Sequence, residues 1–171
     1  YAGLLPEQGS LDVAPYLQTG VSWQLSPRTS VMLDYQRIYF SKINALGNSG
    51  FSAGFYGDDN GPGFGWKNSR TWKLGLHHQV NDRLTLRLGA ADNNDLVSNT
   101  EMVNNFVSAA LFDEQFTIGT SWKTLAGNVL DFSFNYTTRQ KLSGENPLFP
   151  GQKISSENGL YTLDIGWRTE L

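Results

Sequence analysis

The chain has 171 residues, a net charge of −3 from 13 basic and 16 acidic side chains, and no cysteine. That balance leaves no electrostatic footprint for nucleic acid, and the missing thiols exclude a disulfide framework and a thiolate metal site. Charged residues make up only 17% of the chain, against about 25% in a soluble domain, while aromatics reach 13% and glycines number 18, a mixture ordinary for a membrane barrel and unusual for a cytosolic enzyme.

Residues 1–10 (YAGLLPEQGS) read as an irregular lead-in. With neither an initiator Met nor a signal segment in front, the chain is taken as a mature or truncated product. A first strand is expected over 16–25, with Leu17, Val21, Trp23 and Leu25 on one side and Gln18, Gly20, Ser22 and Gln24 on the other. After the turn Ser26-Pro27-Arg28 a second strand, 29–41, sets Val31, Leu33, Tyr35 and Tyr39 against Asp34 and Gln36. Arg37 breaks its apolar side near the strand's end, where a long side chain reaches the interface. A long polar loop, 42–69, carries GDDNGPGFG.

The central stretch, 70–90, is two alternating strands across an Asn81-Asp82 turn, the signature of a hairpin with one apolar and one polar face. Trp72, Leu74, Leu76, Leu84, Leu86 and Leu88 share the apolar parity; Thr71, Lys73, Gly75, His77, Thr85, Arg87 and Gly89 share the other. A second long connection, 92–105, leads to a strand ending FTIGTSWK, with Phe116, Ile118 and Trp122 on its apolar side. A short turn at 126–128 follows, then the cleanest alternation, 129–138, with Leu130, Phe132, Phe134 and Tyr136 on one face. A third long loop, 139–159, precedes the last strand, in which Tyr161, Leu163, Ile165 and Trp167 alternate with polar residues.

Seven strands joined short, long, short, long, short, long have the rhythm of a bacterial outer-membrane barrel, whose tight turns are periplasmic and whose large loops are external. Aromatics gather near the strand ends (Trp23, Tyr39, Trp72, Trp122, Tyr136, Trp167), as an interfacial girdle requires. No apolar run reaches the ~18 residues of a transmembrane helix, and alternation hides a barrel's lipid face from any averaged hydropathy. The expected fold is therefore all-β: an antiparallel transmembrane β-barrel of the outer-membrane type. An odd count of strands, with the last one ending in the periplasm, points to the C-terminal half of such a barrel.

The stretches LDYQRIYFSKI (33–43), GFGWKNSRTWKLGLHHQVNDRLTLRLGAADNNDLV (63–97), FTIGTSWK (116–123) and SGENPLFPG (143–151) followed by YTLDIGWR (161–168) resemble the C-terminal half of FadL-type outer-membrane proteins, transporters of long-chain fatty acids and aromatic hydrocarbons. The most specific piece is GWKN, a strand, a short ND turn, then LTLRLG with an Asp/Asn pair. The resemblance implies that residues 1–171 are the C-terminal part of one barrel domain of fourteen strands, with the N-terminal hatch and first strands outside this chain. It also implies a monomer that passes a long-chain fatty acid or other hydrophobic ligand without a cofactor. The chain ends in Leu171 rather than the aromatic that barrel assembly commonly recognises, read as trimming or a tolerated variant.

On the polar face, Asp34, Gln36, Lys73, His77, Arg87, Lys123, Asp131, Asp164 and Arg168 would line the lumen. Two readings stand for them: a structural network of paired charges, or a cation, Lys73 or Arg87 with His77 nearby, that receives a carboxylate head group. In the external loops Phe51, Phe55, Phe64, Trp66, Leu148 and Phe149, with Tyr56, form either a capture surface for acyl chains or the packing between loops. Lys67 either draws carboxylates or is a solvated loop lysine. Asp58-Asp59-Asn60 and 92–95 lack the spacing of a calcium loop and read as turn chemistry, so no metal is expected. His77 and His78 are adjacent in a strand and point to opposite faces. With no nucleophile elbow, P-loop or HExxH motif, no enzyme is expected. The competing readings are an outer-membrane enzyme acting on lipids, and a general porin.

Overall fold

The computed structural model describes residues 12–105, 114–146 and 149–169. The lead-in and Leu148 fall outside them. Seven strands form one sheet in sequence order: β1 (Tyr16–Ser26), β2 (Thr29–Ile38), β3 (Ser69–Gln79), β4 (Leu84–Asn93), β5 (Glu114–Lys123), β6 (Val129–Glu145) and β7 (Lys153–Arg168). Every neighbouring pair is antiparallel. Each strand exists because its residues alternate, and the ladder register brings the like parities together. One row crosses the whole sheet through Trp23, Val31, Leu76, Leu88, Ile118, Phe134 and Leu163, each paired with the next. A one-residue slip anywhere would throw that row onto the polar face, so the register is strongly specified.

Among the described residues nothing covers this apolar face: Leu163 is 68% exposed and Ile118 53%, and no second layer of described residues packs on the sheet. A water-soluble sandwich would bury such residues against a partner sheet; here they wait for hydrocarbon. The opposite face carries Gln18, Asp34, Lys73, Arg87, Thr117, Asn135 and Asp164.

Two regions differ from the sequence expectation. β2 stops at Ile38 rather than 41, and a 3₁₀ turn (Phe40–Lys42) with a short helix α1 (Asn44–Gly47) opens the first long loop. The third long loop is mostly strand: β6 and β7 continue outward as a hairpin to 145 and 153, leaving residues 146–152 as its tip. A bulge explains why alternation hid this. Thr137 pairs Leu160 and the next pair is Gln140 with Asn158, so Thr138 and Arg139 face Gly159 alone. The extra residue reverses the parity of β6. Below it, even-numbered residues face out; above it, Leu142 and Gly144 face in.

The buried apolar cluster of the described residues consequently lies at the external end, between the loops and the β6–β7 hairpin. Val97, Met102 and Leu142 are buried together, with Trp66, Leu96 and Ile154 packed on them. Ile154 stands opposite Gly144 on the inward side of the hairpin, so the hairpin supplies one wall of this small core and residues 96–102 the other.

Candidate functional site

The inner face of the wall is built by register. Arg87 on β4 lies opposite Gly119 on β5, which has no side chain, and reaches across it to hydrogen-bond the Ser121 hydroxyl, Nη1 to Oγ 2.7 Å. Ser121 donates to Asp131 on β6, and Asp131 accepts a two-pronged bond from Arg168 on β7, Nε to Oδ2 2.8 Å and Nη2 to Oδ1 3.2 Å. One carboxylate is thereby tied to two guanidinium groups, directly to Arg168 and through Ser121 to Arg87, in a polar chain four strands wide. A second relay runs beside it: Thr117 donates to Asn135 (2.6 Å), and Asp164 accepts from Ser133 (2.9 Å) and Asn135 (3.4 Å). Between the two relays Gly89, Gly119 and Gly166 leave a hollow of about 410 Å³.

Lys73 is placed differently. Its ladder partners are Asp34 on β2 and Ala91 on β4. The Asp34 carboxylate leans away from it, over Gly20 of β1, filling the space a Cβ there would need. Among the described residues no carboxylate lies within ion-pair distance of the Lys73 ammonium. The structure therefore separates the two candidate cations: Arg87 is engaged in the wall network, and Lys73 is not. His77 stands between Ser30 and Arg87 on the same face. His78 points outward and meets Thr29, Nδ1 to Oγ1 2.9 Å, so the two imidazoles do occupy opposite faces.

The external loops divide their aromatics into two groups. Phe64 stacks on Trp66 (5.4 Å between centroids), Phe40 meets Trp66 edge-on (5.2 Å) and Tyr56 meets Phe64 likewise (5.4 Å). Trp66 Nε1 donates to Asn105 Oδ1 at 2.6 Å, and buried Asn105 returns its amide to the Phe64 and Glu101 carbonyls. Buried Glu101 accepts from the Gly50 amide and from Asn104, both at 3.0 Å. Gly65 sits at φ +69 directly against the Glu101 side chain, a place no other residue fits without displacing it. Phe64 and Trp66 therefore pack loop to loop, whereas Phe51, Phe55 and Phe149 stay exposed, as does Lys67.

Phe51 also lines a hollow of about 440 Å³ with Asn99, Thr100, Gly144, Asn146 and Pro150, at the meeting of the first two long loops and the β6–β7 tip. Sequence reasoning named Phe51 but missed the others, and likewise Glu101 and Asn105, whose polar types in a loop carry no signal of burial. The acidic turn is held by amides: Asn44 donates to Asp59 Oδ1 (3.0 Å), and Asn48 to the Asp58 and Gly61 carbonyls.

Tyr56 donates its hydroxyl to the Ala45 carbonyl at 2.7 Å, and burial pushes its phenol from 10.0 up to about 12. A raised phenol favours the fold while neutral, so its contribution is whole below about pH 10 and fades as pH rises through about 12. Alkaline loosening of the loop cap over that window, followed by limited proteolysis, is expected to be absent in Tyr56→Phe.

A single-layer antiparallel wall, apolar outside and hydrogen-bonded inside, with ordered loops at one end and tight turns at the other, defines the side of an outer-membrane β-barrel. The profile of the family described as "Outer membrane protein transport protein (OMPP1/FadL/TodX)" matches residues 6–147, and the chain belongs to that family. It is a family of outer-membrane transport proteins rather than of enzymes. Among solved structures the chain resembles the toluene transporter TodX of Pseudomonas putida, at 15% identity and a TM-score of 0.60 over 89% of this chain and 33% of that one. Another structure of the same transporter gives 12% identity and 0.61, over 92% and 34%. A Pseudomonas aeruginosa FadL homologue gives 16% and 0.53, over 89% and 33%. At these identities the likeness is one of fold, and the chain spans about a third of the length of the structures it matches. No curated protein matches the chain.

Proposed function

We propose that this chain forms seven strands and part of the outer cap of a fourteen-stranded, monomeric barrel that conducts hydrophobic small molecules passively across the outer membrane, with long-chain fatty acids as cargo. The open edges of β1 and β7 support closure by further strands, because unpaired backbone groups in lipid cost several kcal/mol each. Ligand is captured at the hollow among the loops, where Phe51 is exposed and Phe55 and Phe149 stand clear of the aromatic cluster. It then descends along the polar wall.

The observation that carries the fatty-acid reading is Lys73, a lumen-face cation with no carboxylate partner among the described residues. A carboxylate head group would satisfy it through a charge-assisted hydrogen bond; an aromatic hydrocarbon would gain nothing from it. In transporter-deficient cells expressing the full-length protein, Lys73→Met is expected to lower uptake of labelled oleate on the order of tenfold, the value of one hydrogen bond to a charged group, and to leave toluene uptake unchanged. Equal loss of both, or oleate uptake untouched, removes Lys73 from head-group recognition. Lysis of phospholipid by the purified protein, abolished in His77→Ala, would favour the enzyme reading. Conductance for ions and sugars with no hydrophobic selectivity would favour the porin.

A further inference from the structure

Cross-strand charges on the outward face of the β6–β7 hairpin are matched. In the β6–β7 hairpin Lys141 stands opposite Glu157 and Glu145 opposite Lys153, and Arg139 Nη1 lies 3.6 Å from Glu157 Oε1. The outer ends of β2 and β3 instead set two cations side by side. Arg37 and Arg70 are direct ladder partners, share the outward parity of Leu33, Leu74 and Trp72, and are both exposed. Like charges placed opposite one another are destabilising, and among the described residues neither guanidinium has an acid within ion-pair distance.

Their surroundings fix their height. One step toward the membrane on the same face, Tyr35 and Trp72 are paired with ring centroids 4.7 Å apart, and an outward Tyr/Trp pair marks the level where hydrocarbon gives way to head groups. The Tyr39 ring lies 5.1 Å from the Arg37 guanidinium and restrains it without neutralising it. Two guanidinium groups on adjacent ladder positions at head-group level suit a tetrahedral dianion, which accepts several N–H donors at once.

We propose that Arg37 and Arg70 form a site for one phosphate group of an anionic lipid in the outer leaflet. The bound phosphate removes the Arg–Arg repulsion and fastens the outer end of the β2–β3 pair to the leaflet. Asp92 and Glu114, which continue the Tyr35–Trp72 row onto β4 and β5, limit the site to one phosphate, since their carboxylates repel a second. The site faces away from the lumen and does not depend on which molecule the barrel conducts.

The test is native mass spectrometry of the full-length protein in detergent with diphosphorylated lipid A, enzymatically dephosphorylated lipid A, or inorganic phosphate. One tightly held diphosphorylated lipid is expected, with the dephosphorylated form bound on the order of tenfold more weakly. Arg37→Gln and Arg70→Gln singly, and the double variant, are each expected to lose that preference, while Lys141→Ala, whose charge is matched across the strand, keeps it. Equal binding of the two lipids, or equal loss in Lys141→Ala, overturns the proposal. Inorganic phosphate competing at millimolar concentration would show a free-anion site instead and overturn the lipid assignment. The single variants keep the test decisive if the double variant does not assemble.

Discussion

Ile118→Arg is expected to destabilise the inserted protein by about 2–4 kcal/mol, the cost of a cation on a barrel's lipid face near the bilayer midplane. Ile118 is 53% exposed, in the middle of β5, between Leu88 and Phe134. On a water-covered sheet the same change would be close to neutral, because surface substitutions usually stay within about 0.5 kcal/mol. The neighbouring Thr117→Arg provides the internal comparison: it points to the polar face beside Asn135, where a cation meets water and carboxylate. Denaturant titration of the full-length protein in lipid vesicles measures both. Equal costs at 117 and 118 would deny that the two faces meet different solvents, and with it the reading of the whole sheet.

Trp66→Ala is expected to cost about 3 kcal/mol, toward the lower end for a large aromatic because the ring is only partly buried. The change removes the stack on Phe64 and the edge contact with Phe40, and with them the indole hydrogen bond to buried Asn105. The loss is local. Proteolysis of the external loops is expected to accelerate by about two orders of magnitude if cleavage follows the opening equilibrium, while the barrel keeps its resistance to denaturation by detergent. Unchanged loop proteolysis would mean that the aromatic cluster does not hold the cap together.

The strands were legible because alternation is a local property. Phe132, Phe134 and Tyr136 declare one face of β6 without knowledge of any partner, and the Asn81-Asp82 turn declares the hairpin that it closes. The outward course of β6 and β7 was not legible, since the bulge at Thr138 and Arg139 interrupts the period and only Leu142 and Ile154 carry apolar signal beyond it. Lumen residues could be named from parity, but their pairing could not. That Arg87 reaches Ser121 while Asp34 turns from Lys73 toward Gly20 depends on which strands adjoin and which neighbours are glycine. The loop aromatics were visible as greasy residues in a polar setting; their sorting into packed Phe64 and Trp66 and exposed Phe55 and Phe149 rests on Asn105 and Glu101, far along the chain.

The parity reversal in β6 has a consequence for how the protein registers the bilayer. Its 17 residues serve two solvents in succession: grease outward up to Tyr136, grease inward from Leu142. Hydrophobic thickness on this side of the molecule is therefore written as a step in the pleat, a ruler mark made by one inserted amino acid, rather than as a gradual thinning of apolar composition.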